Sequence, residues 1–591
     1  MQFRISEPLT RQPLFCMPTV TPFLPTTRDE LKALGWNTLD VILVTGDTYI
    51  DSPYIGVSVI GKVLVDAGYK VGLIAQPDTN SDADIGRLGE PSLFWGITSG
   101  CMDSMVSNYT ATKKKRNDDD LTAGGKNTRR PDMAVIAYTN LVRKYFKNTR
   151  PIVIGGIEAS LRRISHYHYW NNKVRRSILF DAKADILVYG MGEKTILEIA
   201  ENLKTGRTTT DIRGICYIAK DKREAYLELP AHSEVEKDKQ RFAEMFKLFY
   251  ANSDPISAQG LCQKQDTRYL IHNPPQVNPT PEELDRIHEL DYANDVHPYY
   301  ASQGEVRALD TIRFSIISHR GCYGQCNFCS IAIHQGQTVI SRSEASILRE
   351  AKAFTEQSGF KGIIQNVGGP TANMYGFDCN KNKRKGICSD KRCLSPGTCS
   401  TLKVDHTRQI NLLRKLRQLP KIKKVFIASG IRHDLVLSDT AHGQKYLEEI
   451  IKHHVSGQLK LAPEHSEINV LKLMGKPGIE QFVTFKKQFD QINQRLGMKQ
   501  FLTCYFMAAY PGCSEADMKQ LKSFSRKTLG FRPQQIQVFT PTPSSMATLM
   551  YHTERAYDSD APIFVEKDIR KKNRQKSEAT EGQRHSQKKR R

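Results

Sequence analysis

The chain has 591 residues, 39% hydrophobic and 25% charged, with a formal net charge of +23. This length predicts two to four domains, each large enough to bury its own core. No apolar run approaches the roughly 18–20 residues of a membrane helix, and the opening MQFRISEPLTRQPLF lacks the uninterrupted apolar segment of a secretory signal. Thirteen cysteines are too sparse for a disulfide scaffold. A cytosolic protein with no membrane partner is expected, which sets aside helical membrane proteins and disulfide-stapled secreted proteins.

Residues 1–225 alternate short buried strands with amphipathic stretches. DVILVTG (40–46) reads as a strand, and IGVSVIGKVLVDAGY (55–69) carries apolar residues at helical spacing and ends near Gly68. KVGLIAQ (70–76), LFWGIT (93–98), PIVIGG (151–156) and ADILVYGMGE (184–193) follow as strands, the last running into the helical KTILEIAENLKTG. Buried strands alternating with helices predict a doubly wound, parallel α/β domain. The polar interval 103–132 reads as an excursion from its sheet, of a length that often carries function. Residues 226–305 turn charged and read as a mainly helical linker, with Thr280 as N-cap of TPEELDRIHEL.

From 306 to 560 the alternation returns. TIRFSIIS (311–318), GIIQNVGG (362–369), KVFIASG (424–430), QLKLAPE (458–464), FLTCYFMAAYPG (501–512) and QIQVFTP (535–541) are the strands, with helical patterns between them. Six strand–helix units predict a partial (β/α)6 barrel, in which the C-terminal ends of the strands carry the chemistry. Those ends read SHRGCYGQCNFCS, NVGGPTANMYG, ASGIRHD, APEHSE, AAYPGCSE and FTPTPSS. Residues 561–591 are basic, polar and nearly free of apolar residues, and predict a disordered tail.

Seven cysteines lie between Cys322 and Cys399. Cys322, Cys326 and Cys329 have the spacing C-x3-C-x2-C with no local fourth ligand, whereas structural zinc takes four and ferredoxin-type runs begin C-x2-C-x2-C. Three thiolates on a cubane leave one iron open to a small molecule. A zinc site completed by a distant residue is the competing reading. Glycines at 321 and 324 let the loop wrap closely.

C-x3-C-x2-C, with Phe328 before the last cysteine and at the end of a first barrel strand, resembles the radical S-adenosylmethionine (SAM) superfamily. The resemblance implies a 4Fe–4S cluster on Cys322, Cys326 and Cys329. Its open iron binds SAM, whose reductive cleavage gives methionine and a 5′-deoxyadenosyl radical that acts on a substrate. It also implies SAM contacts at Gly368 and Gly369, where Pro370 replaces the family's Glu, and at Ser429, Arg432 and Glu464. A reductant such as flavodoxin or ferredoxin is implied as partner. For Arg432 and Glu464 a barrel-rim ion pair is the alternative. APEHSEINVLKLMGKPG and FTPTPSSMATLMY are similar to stretches of the methylthiotransferase-like branch.

The N-terminal layout resembles the cobalamin-binding-like domain that precedes many radical SAM barrels, with Gly155–Gly156 and Asp185 through Glu193 as its matching positions. Its cobalt-ligating His in D-x-H-x-x-G corresponds to Pro53 in DSPYIG (51–56), which cannot coordinate cobalt, so cobalamin is left open. His166 and His168 in HYHYW read as polar packing. Taken together, DTYIDSPYIG, GGIEASLRRISHYHYW, DILVYGMGE, SHRGCYGQCNFCSI and FTPTPSSMATLMY resemble the YgiQ-type radical SAM proteins over about residues 15–560. That resemblance implies cofactor and class of chemistry and leaves the substrate open.

Cys379, Cys388, Cys393 and Cys399 sit in an insertion (376–402) among Lys and Arg. A second iron–sulfur cluster, a structural zinc clip, and free or redox-paired thiols all fit their spacing. Cys16, Cys101, Cys216, Cys262, Cys504 and Cys513 are isolated and read as packing residues. The net charge motivates RNA as a partner. The readings competing with a radical SAM enzyme of unassigned reaction are an RNA-modifying methylthiotransferase-like enzyme, a cobalamin-dependent radical methyltransferase, and a zinc-stabilised nucleic-acid-binding protein.

Overall fold

The computed structural model describes residues 22–530, 533 and 535–580. Cys16 and residues 581–591 of the tail lie outside the described residues.

The N-terminal half is built on one sheet of nine strands among the described residues. In chain order these are β1 (Val41–Thr45), β2 (Val71–Ala75), β3 (Phe94–Thr98), β4 (Ile152–Gly155), β5 (Ile186–Val188), β6 (Ile215–Ala219), β7 (Leu227–Leu229), β8 (Leu261–Gln265) and β9 (Arg268–His272). Across the sheet they run β2-β1-β3-β4-β5-β6-β9-β8-β7. β1 to β5 are mutually parallel, and β6 returns antiparallel to β5. The five-residue runs VILVT and VGLIA are buried throughout, because alternate residues feed two cores. Ile42, Val44 and Ile74 enter one, and Val41, Leu43, Val71 and Leu73 enter the other with Leu64 and Ile199. A sheet covered on both faces is the physical reason for a continuous apolar strand. The order 2-1-3-4-5 places its topological switch point between β1 and β3, where such folds hold ligands.

Residues 226–305 hold more helix than strand, as expected, but they build onto the N-terminal sheet and are not a mere linker. β7, β8 and β9 extend the N-terminal sheet past residue 225, although helices Lys239–Ala251 and Pro281–His288 are also present. These strands escape sequence reading because the buried face of β8 carries amides. Gln263 and Gln265 are fully buried, and their carbonyl oxygens accept the backbone N–H of Ser165 (3.1 Å) and Ser177 (3.0 Å). A hydrogen-bonded amide can stand in a core position that periodicity assigns to an apolar residue. Thr280 caps its helix in a full capping box with Glu283.

The C-terminal half carries β10 (Ser315–Ile317), β11 (Asn366–Gly368, preceded by the short Ile363–Ile364), β12 (Lys424–Val425), β13 (Gln458–Glu464), β14 (Phe501–Ala508) and β15 (Gln535–Val538). All pairs are parallel and follow chain order, with the Ile431–Leu461 bridge joining the third position to the fourth. Helices fill the crossovers, so every C-terminal strand end opens on one side of the series.

The tail also differs from expectation. Instead of losing structure at 561, the chain forms helix Ile569–Thr580, whose Lys572, Gln575 and Ala579 are buried. The Gln575 side chain accepts the Ala509 N–H (2.9 Å) and donates to the Cys513 carbonyl (3.3 Å). Lys572 donates to the hydroxyls of Tyr551 (2.9 Å) and Tyr169 (3.2 Å), over both rings. Aromatic faces can hold an ammonium without a carboxylate, so counting charges misses this docking. No helix among the described residues is long and apolar enough to cross a membrane.

Candidate active site

The C-terminal strand ends of the two halves face one another. The hydroxyl of Ser160, after β4, hydrogen-bonds His334 Nδ1 (3.1 Å), five residues past Cys329. Arg320, just before the cysteine loop, forms a buried ion pair with Glu193 of the GMGE turn. Ser544, after β15, donates to the Leu161 carbonyl (2.8 Å).

Between these ends runs the loop Cys322–Ser330. Its path is fixed from several sides. Gly321 sits at φ +83°, and a Cβ there would meet the Thr338 carbonyl oxygen at 2.0 Å, so the entry turn demands glycine. The Asn327 N–H donates to the Met474 carbonyl (2.9 Å), its side chain to the Leu473 carbonyl (2.7 Å), and its own carbonyl accepts the Ala547 N–H (2.9 Å). Phe328 meets the buried Tyr510 edge-on at 6.3 Å.

Cys322 and Cys326 turn their sulfurs toward Gly324, although no group of three or more His, Cys, Asp or Glu among the described residues is placed to hold a metal ion. The Gly324 N–H donates to Cys322 Sγ (3.3 Å), and Arg432 donates to Cys326 Sγ (3.6 Å). A Cβ on Gly324 would lie 3.2 Å from Cys322 Sγ and 3.7 Å from Cys326 Sγ, so this glycine keeps the space between the thiols clear. Burial, with the charges of Cys326 and Cys322, pushes the Cys329 thiol up to about 12. A thiol whose ionisation its neighbours oppose in this way is relieved by a cation beside it.

The neighbouring strand ends supply the other expected positions. Gly368 is buried, and a Cβ there would stand 3.6 Å from Ser429 Oγ; one on Gly369 would meet His319 Nε2 at 2.5 Å and the His319 carbonyl at 2.7 Å. Asn366 organises the next turn, its carbonyl accepting the N–H of Ala428 and Ser429 and its amide donating to Ser429 Oγ (2.8 Å). Arg432 grips Asp434 with Nε (3.0 and 3.1 Å) and Nη2 (2.5 Å). Asp434 is held down at about 2 against the opposing effect of burial by that guanidinium. Glu464 closes the set at a β-bulge, left-handed at φ +70° and 8% exposed. Burial raises its carboxyl to about 7 despite Lys476 and Arg432. A left-handed non-glycine residue at a strand exit is strain of the kind that collects at functional sites.

Sequence reading missed His319, Asn366 and Asp434. Their signal is adjacency, since each lies within three residues of a position singled out by motif, but the chemistry of these residue types alone does not announce it. His166 and His168 are buried and kept neutral, His168 at about 3, chiefly by desolvation.

The N-terminal switch point is filled by the chain itself. Arg130, at the end of the 103–132 excursion, donates through Nε to the Gly46 carbonyl (3.0 Å) and pairs with Asp47 (2.5 Å) and Asp119 (3.0 Å). Asp47 also accepts the Cys101 N–H (2.6 Å), binding the β1 exit to the β3 exit. A Cβ on Gly46 would meet the Ser99 carbonyl oxygen at 2.3 Å, so the two exits are in close contact. Glu158 holds both ends of the excursion, accepting the N–H of Ser104 (2.8 Å) and Val135 (3.1 Å). Asp51 is spent on Lys62 (3.2 Å), Ser58 and the Ala293 N–H.

This arrangement matches known proteins along its length. A model of the family described as Radical SAM N-terminal fits residues 23–315. A UPF0313 protein of Fusobacterium nucleatum is 55% identical over 560 residues, covering 95% of this chain and 99% of the relative. One from Thermotoga neapolitana is 47% identical over 557 residues, 94% of this chain and 98% of its own. Among solved structures, the radical SAM methyltransferase TsrM from Kitasatospora setae, with cobalamin and a 4Fe–4S cluster bound, is similar at a TM-score of 0.48. Its identity is 14%, over 86% of this chain and 74% of that one. The cobalamin-dependent SAM radical enzyme OxsB is similar at 0.48 and 14%, over 90% of this chain and 58% of that one. Residues 23–315 thus match the Radical SAM N-terminal family. The chain as a whole belongs to the UPF0313 family.

Proposed function

We propose that Cys322, Cys326 and Cys329 hold one 4Fe–4S cluster, and that Gly368, Gly369, Ser429, Arg432 and Glu464 form the cradle for SAM at the mouth of a partial (β/α)6 radical SAM barrel. The observation that carries this reading is the thiol set itself: three cysteines on one pinned loop, a glycine keeping the space between them open, and a guanidinium bonded to one sulfur. When bound, the cluster supplies the electron that cleaves SAM to methionine and a 5′-deoxyadenosyl radical. Around it, Arg432 offsets thiolate charge while Asp434 fixes its orientation. Gly368 and Gly369 let backbone approach the ligand, and Glu464 offers a carboxyl to its cationic groups. Ser160, Leu161, Arg320 and Glu193 close the opposite side, which shields a reactive radical from solvent. A flavodoxin or ferredoxin is the reductant for which dithionite substitutes in vitro.

The N-terminal domain is read as cobalamin-binding-like in topology only. Arg130, Asp47 and Asp119 take the switch-point crevice and Pro53 offers no cobalt ligand, so the residues present do not fit cobalamin there and no step is routed through it. The net charge of +23 favours RNA as the second reading for the substrate. The test is anaerobic cluster reconstitution followed by SAM and dithionite. 5′-Deoxyadenosine above a protein-free control is expected, and its absence from protein with full iron loading would overturn the assignment. A tRNA nucleoside profile unaltered by gene deletion would remove the RNA reading.

A further inference from the structure

We propose that the cavity between the GMGE turn and the helix after the cysteine loop binds a small molecule with an apolar body and one anionic group, a carboxylate or a phosphate, seated on Arg163. This site is independent of the reading of the cysteine loop as a cluster site. The cavity has a volume of about 270 Å³, close to the lower end of small-molecule sites, roughly 300 Å³. Three segments wall it: 189–194 after β5, parts of 275–290, and 332–336, which overlaps the helix Ile331–Gln335. Val63, Leu197, Ile287 and Leu290 give it an apolar side.

Charge on the lining is unevenly spent. Arg320 pairs with Glu193, Lys194 with Glu283 (2.6 Å) and Arg286 with Asp66 (2.6 Å). Arg163 is the lining cation left over, and it is only 2% exposed. Its partners are all neutral. Nε donates to His272 Nε2 (3.1 Å) and Nη1 to the Ser160 carbonyl, while Nη2 has no acceptor among the described residues. The guanidinium lies 4.6 Å over the Tyr189 ring and 4.5 Å over that of Phe249. Among the described residues the other buried arginines, 130, 162, 320, 342 and 432, each pair with a carboxylate. The deficit is therefore particular to Arg163.

A buried guanidinium without a counter-charge is costly, and ring faces return only about 0.5–2 kcal/mol of that cost. An oxyanion at the free edge would offset the remainder, because charge-assisted hydrogen bonds are about twice as strong as neutral ones. The apolar side then takes the body of the ligand. The location is joined to the cysteine loop: His334 lines the cavity, with its Nδ1 bonded to the Ser160 hydroxyl (3.1 Å), and the Cys322 N–H donates to the carbonyl of Gly336, another lining residue (3.2 Å).

The experiment is isothermal titration calorimetry of the full-length protein with phenyl phosphate, benzoate and the uncharged benzyl alcohol at fixed ionic strength. One-to-one binding of at least one anion is expected, tighter than that of benzyl alcohol, and the preferred anion assigns phosphate or carboxylate. Arg163→Gln should lower the affinity for that anion on the order of tenfold or more, the loss for a hydrogen bond to a charged group, and leave benzyl alcohol unaffected. If Arg163→Gln does not fold, Ile333→Trp is read instead. It keeps the cation, fills the cavity from a half-buried wall position, and should weaken anion and alcohol alike. Anions bound no more tightly than benzyl alcohol, or an affinity that neither variant alters, would overturn the proposal. The Cys322→Ala/Cys326→Ala/Cys329→Ala variant is expected to bind the same anion. Loss of binding in that variant with its fold intact would move the anion to the cysteine loop and overturn the proposal. Retention there keeps the result separate from SAM cleavage.

Discussion

The N-terminal sheet and the C-terminal strand series present the same feature, a row of strand ends opening on a shared space, and use it in opposite ways. At the β1/β3 switch point the strong charges are paired within the chain, Arg130 with Asp47 and Asp119 and Arg162 with Asp103, although Nη1 of Arg130 and Nε and Nη2 of Arg162 have no hydrogen-bond partner. Across from it, the β10–β15 ends hold groups with capacity to spare: three free thiols, two crowded glycines and a strained carboxyl near neutrality. A fold nominates a location for a ligand, but whether that location is a site depends on whether its polar groups are already spent.

The sharpest way to break this contrast is at the thiols. Cys326→Ala removes the sulfur to which Arg432 donates and leaves two ligands for a cluster. Reconstituted iron and 5′-deoxyadenosine should both fall to background with far-ultraviolet circular dichroism unchanged. Retention of either would move the site elsewhere.

The next largest effect belongs to the N-terminal side and concerns stability. Arg130→Met leaves Asp47 and Asp119 buried without their cation, a loss of about 3–5 kcal/mol for breaking a buried pair from one side. Urea unfolding of the N-terminal transition should shift accordingly. A shift under about 1 kcal/mol, the range of exposed pairs, would mean that the crevice is open to solvent and not sealed. The companion measurement is titration of wild type with hydroxocobalamin, for which no spectral change and no co-elution are expected. Stoichiometric binding would show that another surface accepts the corrin.

Much of this contrast was legible in the sequence, for reasons that differ by region. Strands β1 to β4 announce themselves because both faces are buried and their residues are uniformly apolar. The cysteine loop does so because thiol spacing is chemistry written directly in sequence. The extension β7–β9 was hidden by Gln263 and Gln265, polar residues that are buried with their bonds satisfied. The tail helix was hidden by Lys572, whose partners Tyr169 and Tyr551 are remote in sequence. The sealing of the switch point was equally invisible, because Arg130 lies more than 80 residues from Asp47 and nothing local marks the pair. Pro53 gave the one sequence sign that the N-terminal domain departs from the cobalamin-binding-like pattern it resembles.

The smallest expected effect sharpens the contrast most, because it asks whether Glu464 is held for a ligand or merely tolerated. Burial raises its carboxyl from the ordinary carboxylate range to about 7. The folded protein therefore favours the neutral acid, and the stability this lends is present at low pH and lost as pH rises through about 7. Glu464→Gln, which cannot ionise, should remove that loss and make the protein relatively more stable than wild type above neutrality. SAM carries a sulfonium cation, so an ionised Glu464 should bind it better than a neutral one. Wild-type affinity for SAM should then strengthen on the order of tenfold between pH 6 and 8, the change equivalent to about one unit of pKa coupling. The amino group of SAM titrates identically against both proteins, so only the difference between wild type and Glu464→Gln is informative. If that difference is flat across the range while the stability difference persists, Glu464 is a strained residue of the bulge and has no contact with the cofactor. A slope that vanishes in the variant instead places this carboxyl at the ligand, and explains why the chain maintains a left-handed glutamate at the end of β13.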